Sequence, residues 1–333
     1  MAKKKLKDTE YLFISAYLRC RERNLLTAAH MERMIEAPTA QEAAKVLQEL
    51  GYGEFSPDSE RELGEALSRE QEAMFADLYQ FVPDKSLVDV FKIKYDYHNI
   101  KALLKAQALD LDGQRLLLDA GRVPAADMAK AVKEGEFDAL PPALAAAASK
   151  AHEVLSTTGD PQLSDMVLDE AYYSETLAAA KSTGSKLLIS YVQATIDAAN
   201  LRSAVRGIRM NKGAEFLRRV LVKGGTVSEE IVLNAALSGN LEEAFRVTEL
   251  RHAAELGTEA AKGGSLTAFE KACDDAVTAV AAGAKGVPFG PESVVGYLVA
   301  KELEFMAVRI IMSGRMAGIS GDIIRERLRE AYV

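Results

Sequence analysis

Three short stretches of the chain set an acid and, five residues later, a base. They are "YDYHNIKALLKA" from Tyr95, "IDAANLRSAVRG" from Ile196 and "LEFMAVRIIMSG" from Leu303. The acids are Asp96, Asp197 and Glu304; the bases are Lys101, Arg202 and Arg309. Asn99 and Asn200 follow the first two acids by three positions, and Ala307 stands there in the third. With a helix advancing about 100° per residue, Asp96 shares a stripe with Ile93, Ile100, Leu103 and Leu104, while Lys94, Lys101 and Lys105 point away. The same arithmetic puts Asp197 among Leu201, Ala204 and Val205, and Glu304 among Val308, Ile311 and Met312. A buried carboxylate is costly unless it is paired or hydrogen-bonded. Each acid therefore needs a partner, either the free N–H groups of a helix N-terminus or a basic side chain from an adjacent helix. Two readings stand. The acids are polar clamps that fix how helices cross, or their faces line a central opening.

The acids lie 101 (197 − 96) and 107 (304 − 197) residues apart, which implies structural repeats. The segments that follow also match: 119–140, 223–245 and a shorter 316–333. Each offers a glycine (Gly121, Gly225, Gly318), then Val or Ile, then a helix start at Pro124, Ser228 or Ser320. A related tail occupies 24–50, with Thr27 and Thr39 where the second copy has Ser228 and Ser238. If this tail complements the truncated third copy, three helical units close into a pseudo-threefold body. The expected organisation is a basic arm over 1–8, a candidate for disorder, then units over 9–150, 151–260 and 261–333.

Helix formers dominate and strand-length alternation is scarce, so the expected fold is all-α. Apolar residues make up 48% of the 333, enough for a real core. The net charge of −8 argues against nucleic acid as the main partner. Cys20 and Cys273 suggest a reducing compartment without a disulfide framework. The N-terminus lacks the apolar segment of a secretion signal, and no apolar run is long enough to span a bilayer. Acids and bases are segregated. Glu54 to Asp77 holds eight acids against Arg61 and Arg69, and Arg202 to Lys223 holds seven bases against Glu215. These runs read as solvated helix faces or as surfaces that steer different partners. On the second reading a basic helix over 202–223 offers Arg202, Arg206, Arg209 and Lys212 to a partner. In "KGVPFGPES" (285–293), Phe289 is a second contact candidate before the last long helix.

Motifs of catalysis are missing. No Gly precedes a Lys, which rules out GxxxxGK[ST]. There is no GxSxG and no CxxC, and His30, His98, His152 and His252 lack metal-ligand spacing. No cofactor and no metal are expected.

"FKIKYDYHNIKALLKA" (91–106), "YVQATIDAANLRSAVR" (191–206) and the segment from Phe289 to Val333 together resemble the C subunit of the V/A-type rotary ATPases, whose family includes the eukaryotic d subunit. The resemblance runs from about residue 9 to the end; Ala307 and the stretch 140–175 depart from it. It implies a funnel-shaped, all-helical body of three similar domains without a catalytic site. It further implies one copy per complex, on the cytoplasmic face of the membrane and peripheral to it. There it would join the central stalk subunits D and F to the proteolipid ring, for ATP-driven ion transport or ATP synthesis. The competing readings are a free-standing cytosolic helical-repeat scaffold that binds other proteins and an all-α enzyme with an unfamiliar site.

Overall fold

The computed structural model describes residues 6–57 and 59–332. Helices account for all of its regular structure, with no strand among the described residues. The N-terminal part holds α1 (Leu12–Glu22), α2 (Ala28–Glu36), α3 (Ala40–Glu49) and α4 (Glu60–Phe81). The first acid lies on α5 (Ser86–Ala108), followed by α6 (Ala125–Glu134), α7 (Pro142–Thr158) and α8 (Pro161–Thr183). The second lies on α9 (Lys186–Arg209), followed by α10 (Ala214–Val220), α11 (Glu229–Ser238), α12 (Leu241–Ala244), α13 (Arg251–Ala261) and α14 (Leu266–Ala281). The third lies on α15 (Pro291–Met316), and α16 (Gly321–Arg327) follows.

The three long helices end alike. Asp110, Asn211 and Gly318 each adopt a left-handed backbone (φ 53°, 51° and 66°), fourteen residues after their acids. The next N–H then reaches back into the last turn, Leu111 to Ala106, Lys212 to Gly207 and Ile319 to Gly314. This is the Schellman way of satisfying terminal carbonyls. Starts are capped as the residue types suggest: Thr27, Thr39, Ser59, Ser185, Ser228 and Ser265 accept from a backbone N–H one turn on.

The apolar interior separates into three clusters. One lies within α5–α8, from Ile93 to Leu168, and a second within α9–α14, from Ala198 to Cys273. The third joins α1–α4 to α15 and α16, bringing Met34 and Leu47 against the same core as Val308 and Ile311, and it also takes in the first halves of α5 and α9 and the end of α8, with Phe91, Val192 and Leu177.

Four expectations need correction. The basic run 202–223 is no single helix: α9 stops at Arg209, and left-handed Asn211 turns the chain before α10. The cuts at 150/151 and 260/261 fall inside α7 and α13, whose backbone hydrogen bonds cross them. The arm expected over 1–8 does not extend to residue 8, because Leu6 packs on the core and Asp8 opens a 3-10 turn; residues 1–5 lie outside the described ones. Ser238 does not match Thr39 as a cap, since it ends α11 and its hydroxyl donates to the Ala235 carbonyl.

Candidate functional site

Asp96 is wholly buried on α5. Its Oδ1 accepts from the backbone N–H groups of Arg122 (2.8 Å) and Val123 (3.2 Å), just before α6. Its Oδ2 accepts from Arg122 Nε at 2.6 Å, and Arg122 Nη1 also reaches Glu175 at 2.6 Å. Such proximity requires glycine at 121, where a Cβ would stand 2.3 Å from the carboxylate. One turn on, Asn99 donates to the Leu118 carbonyl (2.8 Å) and accepts from the Leu118 N–H (2.9 Å). Both ends of that amide satisfy backbone that would otherwise be stranded.

Asp197 repeats the arrangement without an arginine. It accepts from the Thr226 N–H (2.9 Å), the Thr226 hydroxyl (2.5 Å) and the Val227 N–H (3.1 Å), just before α11. A Cβ at Gly225 would lie 2.0 Å from its Oδ1. Asn200 holds Val222 at both N–H and carbonyl, each at 2.8 Å. Burial pushes both aspartates above their ordinary value of 3.8; hydrogen bonds oppose it at each, and Arg122 does so at Asp96 alone.

Glu304 finds two of its three partners at the other end of the chain. The Leu26 N–H donates to it at 2.7 Å, the Tyr52 hydroxyl at 2.6 Å, and Lys301 Nζ lies at 2.5 Å. Leu26 precedes the cap of α2 as Val123 and Val227 precede the starts of α6 and α11. The loop there reads Asn24-Leu25-Leu26, without glycine, and the acid that meets it is the longer glutamate. The expected match of Gly318 with Gly121 and Gly225 is therefore corrected. Gly318 stands 14 residues after its acid, against 25 and 28, and its Cβ position meets nothing within 4 Å. Ser320 starts α16 without a side-chain cap bond, and α16 corresponds to α10.

The bases tie neighbouring helices. Lys101 pairs with Asp169 and Lys105 with Asp165 (2.5 Å), linking α5 to α8. Arg202 pairs with Glu270 (2.6 Å) and Asp274 (2.5 Å), and Arg206 with Glu270 (2.6 Å), linking α9 to α14. Arg309 is exposed and makes no hydrogen bond or ion pair among the described residues. Of the partner-contact candidates, Arg202 is four-fifths covered and Arg209 donates to the carbonyls of Ala260 and Gly264. Arg206 and Lys212 are exposed, and Lys212 lies over the Phe216 ring; Phe289 is half-buried.

Sequence reasoning missed a further meeting point. Lys94, Thr195 and Glu302 each stand two residues before an acid and line one cavity of about 50 Å³, with Lys94 and Glu302 paired at 2.5 Å. That shared register was a readable signal. No group of three or more His, Cys, Asp or Glu suited to a metal occurs among the described residues. Burial pushes the Cys273 thiol up to about 12.

The fold and these sites define a helical scaffold in which the buried Asp96, Asn99, Asp197, Asn200 and Glu304 hold its own helices and loops together. The family model described as ATP synthase (C/AC39) subunit matches residues 14–327, and the chain belongs to that family. It is 23% identical to the C subunit of the V-type sodium ATPase of Enterococcus hirae, over 97% of this chain and 99% of that one. It is 27% identical to the C subunit of the A-type ATP synthase of Methanocaldococcus jannaschii, covering 96% and 86% respectively. The C subunit of the V-type ATP synthase of Thermus thermophilus shares 25% identity, over 92% and 94%. The chain is thus a structural rather than a catalytic subunit of a V/A-type ATPase. No helix among the described residues is long and apolar enough to cross a membrane.

Proposed function

We propose that this chain is the central-rotor adaptor of a V/A-type ATPase, a socket that couples stalk subunits D and F to the membrane proteolipid ring. One copy would sit peripherally on the cytoplasmic face. The observation that carries the reading is the family match along nearly the whole chain, with relatives named as C subunits covered end to end. Stiffness is what a torque-bearing adaptor needs, and the buried clamps at Asp96, Asp197 and Glu304 supply it by fixing each long helix to a neighbouring loop.

We also propose that the body is built of three equivalent units: α5–α8, α9–α14, and α15–α16 completed by α1–α4. The separate apolar clusters within α5–α8 and within α9–α14, the shared helix endings and the donation of the Leu26 N–H to Glu304 support this division.

The test of the adaptor is affinity purification of the tagged chain from gently solubilised native membranes, with co-purifying proteins identified by mass. Recovery of stalk, catalytic subunits and proteolipid is the expected result. Recovery of the chain alone, or with unrelated soluble proteins, would overturn the adaptor in favour of a free-standing scaffold.

A further inference from the structure

We propose that residues 328–332 are a releasable strap. They lie across the clamp at Glu304, tie it to α14, and open and reclose while the helices on either side stay folded.

The segment has a counterpart in the second unit. Arg329 stands 25 residues after Glu304 (329 − 304), as Val222 does after Asp197 (222 − 197). Each follows a buried leucine, Leu328 or Leu221, at the end of a short helix, α16 or α10. Val222 is locked to its own long helix, because Asn200 takes both its N–H and its carbonyl. Ala307 stands at that place on α15 and offers no amide. The N–H and carbonyl of Arg329 make no hydrogen bond among the described residues. The third copy lacks the inner anchor.

Its anchors lie on the neighbouring unit instead. The Leu328 carbonyl accepts from Lys271 Nζ (2.5 Å), Arg329 Nε pairs with Asp274 (2.8 Å), and the Glu330 N–H donates to Asp275 (2.9 Å), all on α14. The Tyr332 hydroxyl donates to the Ala281 carbonyl at the end of the same helix (3.4 Å), and Lys285 Nζ lies over its ring. The preceding seam has no such tie. On α8, Met166 and Glu170 hold the places of Lys271 and Asp275, five and nine residues after the first of the helix. With Leu221 and Lys223 they line an open cleft of about 660 Å³.

What the strap covers is the third clamp. Leu26, Met31, Leu303 and Glu304 line a cavity of about 10 Å³ whose other wall is residues 329–332. Leu328 and Tyr332 are its buried members, while the Arg329–Asp274 pair is about one-fifth exposed and open to screening by salt. A segment held by two apolar side chains and a few polar bonds, outside any helix, belongs to the part of a fold that opens first.

Hydrogen exchange on the full chain, read amide by amide and corrected for intrinsic rates, is the test. The Glu330 amide is expected to exchange about tenfold faster than the Val222 amide, since Val222 alone is held by an amide side chain. Arg329→Gln should quicken Glu330 and Leu26 together, by about threefold, because the Leu26 N–H that donates to Glu304 lies under the strap. Val227 at the second clamp and the amides of α15 should not move. Ala307→Asn supplies the inner anchor and should slow Glu330 and Leu26 about tenfold. Glu330 exchanging only in step with α15, or Leu26 unmoved by Arg329→Gln, would overturn the strap. The comparison with Val222 rests on the three-unit reading, whereas the comparison with α15 does not. If Glu330 and Leu26 open together ahead of α15 and Ala307→Asn leaves them unchanged, the strap stands and the three-unit register fails. Should Ala307→Asn not fold, wild type and Arg329→Gln decide the strap.

Discussion

Asp96 and Asp197 occupy the same place in their helices and meet the same kind of loop, yet they are neutralised differently. Asp96 faces a guanidinium that is itself shared with Glu175, whereas Asp197 faces only two N–H groups and a hydroxyl. The backbone donors and the paired asparagine are common to both. What the clamp requires is therefore the loop and the amide; the counter-ion is an addition at one site. An arginine here exchanges a hydroxyl's modest hydrogen bond for an ion pair that becomes costly to break once buried.

The largest effect should come from breaking the difference itself. Arg122→Met leaves Asp96 buried without its cation and strips Glu175 of the same partner. A loss of about 3 kcal/mol is expected in urea unfolding, the lower end for a broken buried pair. A loss no greater than that of removing an exposed cap would mean that the N–H groups suffice at both sites.

The shared part of the clamp is tested at the glycines. Gly225→Ala forces a methyl against the Asp197 carboxylate and should cost about 2 kcal/mol by overpacking. Gly318→Ala meets open space and carries only the left-handed penalty of about 1 kcal/mol. Equal melting temperatures for the two variants would contradict the separate roles of these two glycines.

The smallest effect is in titration. Burial raises Asp197 above its ordinary 3.8, so the folded chain keeps a proton that the unfolded chain has released. The resulting stability is full below about 3.8 and is lost as pH rises through the folded value. Asp197→Asn removes this titration, so its unfolding free energy should fall less steeply than wild type as pH climbs from 3.8. Parallel curves in acid-range denaturant titrations would show that the raised value is not real.

Much of this site was legible in the sequence. Helical periodicity alone put Asp96, Asp197 and Glu304 on dry faces, and the rule that buried charge must be paired demanded their partners. The partners themselves were legible only in part. Gly121 and Gly225 read as chain reversals, and they are where the loops touch the acids. Arg122 follows directly after one of them, yet nothing local in the sequence distinguishes a clamping arginine from a solvated one. Gly318 shares residue type with Gly121 and Gly225 but not their distance from the acid, so it closes a helix instead of meeting a carboxylate.

The sequence by itself determined the helices, their caps, the recurrence of acid, amide and base, and the burial of the acids. All of these depend on neighbours within a few turns, where period and residue type carry the information. Only the tertiary structure decided that Glu304 is capped by Leu26 and Tyr52, some 278 and 252 residues away. It alone decided that Arg202 holds α14 and that Arg309 stands in an open cleft. These outcomes depend on which helices pack together. That choice is made by burial summed over whole faces, which no single stretch of the sequence contains.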